Sequence, residues 1–93
     1  MATRITQIED RERTILRVEG SLTLADAQLI ERLCRDLRRQ SGVTVSIDLA
    51  DLSFLDSESA SVLCRLKTEG VSLEGLHQFI QKEIELAEKA GAA

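Results

Sequence analysis

The 93 residues contain no tryptophan, tyrosine or proline, and Phe54 and Phe79 are the only aromatic side chains. A single-strand nucleic-acid binder that stacks bases on rings has no platform to build here. Positive charge is not in excess either: 12 Lys and Arg stand against 16 Asp and Glu, for a net charge of -4. Non-specific attraction to nucleic acid or to an anionic membrane is therefore not expected. Apolar runs stop after a few residues, far short of the ~20 that span a bilayer. The N-terminus lacks the basic-then-apolar pattern of a secretory signal. Cysteine is limited to Cys34 and Cys64, with no CxxC spacing, and histidine to His77. No zinc ligand set is visible, and a reduced, cytoplasmic setting is expected. With no proline, no Ser/Gly-rich tract and no repeat to mark a linker, the chain is expected to form one domain over residues 1–93, with 89–93 as a frayed tail.

What is present is clear periodicity, punctuated by Gly20, Gly42, Gly70 and Gly75. Residues 4–9 and 14–19 alternate as strands, joined by a charged hairpin turn over Asp10–Arg13 that lacks an Asn-Gly pair. Residues 43–49 alternate most cleanly: Val43, Val45, Ile47 and Leu49 fall on one face, Thr44, Ser46 and Asp48 on the other. One face of the sheet is then packed by helices and the other is polar. Residues 71–74 make a short fourth strand. Leu29, Ile30, Leu33, Cys34 and Leu37 recur at helical steps between Leu24 and Gln40, with Thr23 as N-cap, Asp26 completing an imperfect capping box, and Gly42 as the stop. A second helix runs from about Ser57 to Glu69 and a third from about Leu76 to Ala90. The order β-β-α-β-α-β-α predicts a small α/β domain with a mixed four-stranded sheet and three helices.

Residues 47–63 (IDLADLSFLDSESASVL) carry the chemistry. A buried strand ends at Leu49, a loop crosses Asp51 to Leu55, and Asp56 stands where it can cap a helix by accepting from the amide of Glu58 or Ser59. Ser57 then occupies the exposed first turn at the positive end of the dipole, where helix amides solvate a phosphate. On local chemistry alone, two readings stand: Asp, Ser, Glu and Ser as simple helix starters, or Ser57 as a phosphate acceptor.

The segments TILRVEGSLT and VSIDLADLSFLDS, the second followed by a helix, resemble the STAS domain of anti-sigma factor antagonists and sulfate-transporter tails, over roughly residues 5–88. Members typically show Gly-x-Leu-Asp after a strand, a V-x-x-D/N-L strand and a loop ending in Asp-Ser-Ser-Gly. The resemblance implies a non-enzymatic module without cofactor or metal. It implies that Ser57 is the residue a partner kinase phosphorylates to release the partner. The implied partner-binding surface is Ser21, Leu22 and Thr23, then Ser53, Phe54 and Leu55, then Asp56, Ser57, Glu58 and Ser59, gathered at one end of the sheet. The implied partner is a serine kinase/anti-sigma factor, with transcriptional or stress control as output. This chain departs from the pattern at Thr23 (Asp in the family), Glu58 (Ser) and Ser59 (Gly). Those departures leave open a second role, as a STAS subunit regulating or assembling a membrane transporter of the ABC lipid or anion type. A third is a homodimer, signalled by an apolar patch on the third helix. Many members add a strand after that helix, so a minimal version of the domain is expected.

The remaining polar groups read as structural. Cys34 and Cys64 lie on apolar helical stripes and are expected in the core. His77 is expected at the surface, capping or starting the last helix. Arg32, Arg35, Arg38 and Arg39 form a solvated helix face. Asp48 and Asp51 lack the third ligand that would hold a divalent ion, and Ser57 lacks a base to make it a nucleophile.

Overall fold

A computed structural model describes residues 3–40 and 43–91. The chain runs β1 (Arg4–Asp10), β2 (Arg13–Leu22), α1 (Leu24–Arg39), β3 (Thr44–Asp48), β4 (Leu52–Leu55), α2 (Ser57–Thr68), β5 (Ser72–Glu74) and α3 (Gln78–Gly91). The β1–β2 hairpin is antiparallel and turns on Arg11 and Glu12, with Arg11 at φ 57°. Every other pairing is parallel, and the sheet order is β1-β2-β3-β5, with β4 beside β2.

The fold class stands as expected, with one strand more. Residues 52–55 form β4 where a loop was expected. β2 is long enough to serve two neighbours in succession: Arg13–Arg17 pair with β3, and Gly20–Leu22 pair with β4. A register shift between Gly20 and Ser21 lets the ladder pass from one to the other. Nothing in the short LSFL segment announces this, because its partner lies some thirty residues away. The expected stop at Gly42 lies outside the described residues, as do 92 and 93. Residues 89–91, expected to fray, complete the last turn of α3.

Alternation along β2 and β3 sorts the sheet into two faces. Leu16, Val18, Leu22, Val45 and Ile47 are buried against Ile30, Cys34 and Leu37 of α1, Ala60, Leu63 and Leu66 of α2, and Ile80 and Ile84 of α3, in one cluster. Arg13, Ile15, Arg17 and Glu19 on the opposite face stay half-exposed. Ser46, on that polar face, is buried as well, and its hydroxyl accepts from Arg13 Nε at 3.2 Å. Leu29, expected in the core stripe of α1, is 45% exposed. Its neighbour Ile30 takes the buried position, and Leu29 lies one step of about 100° around the helix. In exchange the helix buries Glu31, whose carboxylate accepts from Arg65 Nε at 2.7 Å and Nη2 at 3.2 Å and so joins α1 to α2. That bond and the adjacent negative charge raise the Arg65 pKa further above its ordinary value.

Both cysteines are free. Cys34 is fully buried, and desolvation pushes its thiol from an ordinary value of 9.0 up to about 11. The folded state therefore holds a proton that the unfolded chain has already lost between those two values. Its contribution to stability is complete below pH 9 and disappears as pH rises towards about 11. We expect the unfolding free energy from urea denaturation to fall across that window, by up to about 1.4 kcal/mol per pH unit. With no tyrosine in the chain, a Cys34→Ala variant should show a distinctly flatter decline; an unchanged slope would assign the effect to other groups.

Candidate functional site

The site is assembled where β2 outruns β3. Gly20 N–H donates to Asp51 O at 3.2 Å, starting the approach of β4, and Ser53 Oγ donates to Gly20 O at 2.9 Å. Ser21 then faces Phe54, and Leu22 faces Leu55. Leu22 and Leu55 point into the core, so Ser21 and Phe54 point outward, and the Phe54 ring remains 51% exposed. An outward aromatic on a four-residue strand is one of the few large apolar side chains left exposed, with Ile8, Leu29 and Leu86.

The turn into α2 is closed by hydrogen bonds. Asp56 occupies the N-cap with extended backbone, and its Oδ1 accepts from Ser59 N at 2.8 Å. The alternative donor, Glu58, is not used. Ser59 is fully buried, and its Oγ donates to Leu22 O at 3.2 Å, which ties the first turn of α2 to the end of β2. Ser57 and Glu58 are left exposed on the outer side of that turn. Ser57 Oγ engages no protein group among the described residues, whereas its carbonyl accepts from Ser61 Oγ at 3.1 Å. Ser57, Glu58 and Ser61 line a shallow groove of about 340 Å³ whose other wall is Glu83, Leu86 and Ala87 of α3.

The expected site residues are thus brought together, but in two roles. Ser21, Thr23, Ser53, Phe54, Ser57 and Glu58 form the surface, with Asp56 half-buried at its edge. Leu22, Leu55 and Ser59, expected in the same surface, have buried side chains and act as its support. Thr23 is the N-cap residue of α1, but its side chain makes no bond to a helix amide. Its Oγ1 instead lies 3.5 Å from Asp26 Oδ2, so the capping box expected from sequence does not form.

The other polar residues are held elsewhere. His77 precedes α3, its carbonyl accepting from Gln81 N at 2.8 Å, and its Nε2 contacts Ala50 O, so the imidazole fastens the start of α3 to the β3–β4 turn. Asp48 Oδ1 accepts from Ala50 N at 3.0 Å, and Asp51 pairs with Arg17, so the two carboxylates serve different contacts. Arg35 and Arg38 of the basic helix face both reach Glu69 at 3.9 Å. No cluster of three His, Cys, Asp or Glu side chains that could hold a metal ion occurs among the described residues. No helix among them is long and apolar enough to cross a membrane. The sheet ladder and the three helix-start bonds give Ser57 a fixed position at a positively polarised helix end.

The class defined by this fold and site is a small α/β domain that presents an exposed hydroxyl at a helix start beside parallel strand ends. The chain belongs to the STAS domain family described as "Mlab, STAS domain", which matches residues 5–91. No curated protein matches the sequence. Among solved structures, the anti-sigma factor antagonist SpoIIAA in its unphosphorylated form is similar with a TM-score of 0.66 and 22% identity, over 90% of this chain and 82% of that one. The STAS domain of an anti-sigma factor antagonist from Rhodobacter sphaeroides gives 0.56 and 22%, over 78% and 86%. Mglu gives 0.59 and 23% over 74% of this chain, which spans only 18% of Mglu. At these identities the likenesses show a shared fold.

Proposed function

We propose that this protein is a cytoplasmic, non-enzymatic regulatory module of the anti-sigma-antagonist kind. It binds a protein partner through Ser21, Thr23, Ser53, Phe54, Ser57 and Glu58, and phosphorylation of Ser57 releases that partner. The observation that carries this reading is the pairing of an exposed Phe54 with an unengaged Ser57 hydroxyl on a platform held by the bonds of Ser53, Asp56 and Ser59. The aromatic supplies apolar anchoring area. A phosphate on Ser57 adds about -1.5 to -2 charge at an interface that must desolvate it, next to Asp56 and Glu58. The partner in this reading is a serine kinase/anti-sigma factor.

A second reading is a STAS subunit that regulates or assembles a membrane transporter. It is favoured by Glu58 and Ser59. The carboxylate beside Ser57 already places negative charge at the helix start, so a partner that docks on the unmodified protein tolerates charge there. The Ser59 hydroxyl is buried and bonded to Leu22 O.

Purification of the tagged protein from its native host, with the Ser57 peptide read by mass spectrometry, separates the two. A serine kinase or anti-sigma factor with Ser57 partly phosphorylated supports the switch. A transporter ATPase and permease with Ser57 unmodified supports the subunit. With the partner in hand, Ser57→Asp should weaken binding by ~10-fold or more, about 1.4 kcal/mol, while Ser57→Ala binds as the parent does. Equal binding by both variants removes the switch.

A further inference from the structure

The edge of the sheet opposite β5 is uncovered. Among the described residues β1 pairs only with β2, and from Thr6 to Asp10 every residue is exposed, Ile8 at 40%. Seven residues of extended backbone, with no proline and no bulge within β1, offer a row of unpaired amides and carbonyls. Protective charge is the usual remedy for such an edge, but the charges here attract when the strand meets a copy of itself.

Antiparallel pairing about a two-fold axis normal to the sheet keeps each face on its own side, so residues pair with residues of the same parity. The register that uses the whole of Arg4–Asp10 is centred on Gln7. It sets Arg4 opposite Asp10 of the second copy, and Asp10 opposite Arg4. Within one chain, Arg4 already stands across from Glu19, and Asp10 across from Arg13. Each end of the seam therefore carries a row of four alternating charges: Glu19, Arg4, then Asp10 and Arg13 of the second copy. Neither Arg4 nor Asp10 has an ion-pair partner within the described residues. Between the two rows, on the same face, Ile8 sits beside Ile15 of its own chain and diagonal to Ile8 of the other, within reach of a side-chain contact. Along the seven pairs no like charges face each other. Registers shifted by two residues pair fewer residues and break both charge rows.

We propose that this protein forms a homodimer by antiparallel β1–β1 pairing centred on Gln7, joining the two sheets into one. The interface uses the free edge of β1, whereas Ser57 follows β4 at the other side of β2. An edge-to-edge contact is smaller than the ~1,200 Å² where standard stable interfaces begin, so the dimer is a weak one, with micromolar dissociation.

Sedimentation equilibrium of the full chain, tagged at the C-terminus to leave β1 clear, tests this. The mass should rise from that of one tagged chain, 10.3 kDa plus the tag, towards twice that value with concentration. Arg4→Asp or Asp10→Arg alone places two like-charge pairs in the seam and should weaken association by ~10-fold or more. The combined variant Arg4→Asp/Asp10→Arg restores opposite charges across the seam and should recover most of the association. Both positions are exposed, and circular dichroism of each variant confirms that the fold is retained. A protein that stays monomeric up to ~1 mM overturns the proposal. So does a dimer indifferent to the single changes, which would place the contact elsewhere, for example at Leu86 of α3, or a double variant that fails to recover.

Discussion

Gly75→Ala should lower the thermal midpoint by roughly 15 °C or more, equivalent to about 3 kcal/mol in a domain of this size. Two costs combine. Gly75 sits at φ +69°, a left-handed conformation that costs an L residue about 1–2 kcal/mol. A Cβ there would also stand 2.7 Å from Ala50 N, 2.8 Å from Asp48 Oδ1 and 2.9 Å from Ala50 Cα. Two of those atoms are backbone, so relief requires moving the β3–β4 turn, at a further cost of about 1–3 kcal/mol. That turn carries the Asp48–Ala50 bond and the His77 contact, and it leads directly into β4 and Phe54. Binding at the Ser57 site should therefore fall together with stability. Gly70→Ala is the control. Gly70 also has a positive φ, of +107°, but a Cβ there meets only the end of the Arg38 side chain, at 3.3 Å. It should lose the conformational part alone. Equal midpoints for the two variants would show that the approach of Gly75 to Ala50 is not constraining.

Leu63→Ala and Leu29→Ala should differ by several kcal/mol, although both remove the same atoms from the middle of a helix. Leu63 is fully buried among α2, the sheet and the other helices, and its truncation leaves a cavity. The expected cost is about 2–5 kcal/mol, against a total stability of about 5–15 kcal/mol. The thermal midpoint should drop by roughly 10–30 °C. Leu29 is 45% exposed, and its loss should change stability by less than about 0.5 kcal/mol. Urea denaturation of the pair measures the difference. A substantial loss at Leu29 would place it in a contact that the folded monomer does not show.

That pair also marks how far periodicity carries. In α1 the apolar residues Leu29 and Ile30 are adjacent, and a helical repeat alone does not say which of two neighbours turns inward. The answer came from the packing of α1 into the common core, which buries Ile30, and the bond to Arg65 of α2 draws Glu31 inward. No hydrophobicity pattern selects a glutamate for that position; the signal is an arginine on another helix. β4 was invisible for a related reason. Four residues without full alternation become a strand because the far end of β2 offers them a parallel partner.

The candidate site was legible where its chemistry is local. A helix start is written in adjacent residues, so Asp56 as cap and Ser57 as exposed first-turn hydroxyl could both be read from side-chain type and order. The gathering of Ser21, Phe54 and Ser57 at one sheet end followed only from the family resemblance. The division between surface and support was not readable at all. Ser57 and Ser59 are the same residue two positions apart, yet one is exposed and the other fully buried and bonded to Leu22 O.

The sequence by itself determined the α/β class, the order of its seven main elements, the polar and apolar faces of the sheet, and the cap that sets Ser57 at a helix start. Each of these depends on residues within a turn or two of one another, where spacing alone decides the environment. Only the tertiary structure decided that β2 carries two parallel neighbours, that Glu31 is buried, that Gly75 must be bare against Ala50, and that β1 is left as an open edge. Those outcomes depend on contacts between remote segments, and such contacts exist only after the chain has packed.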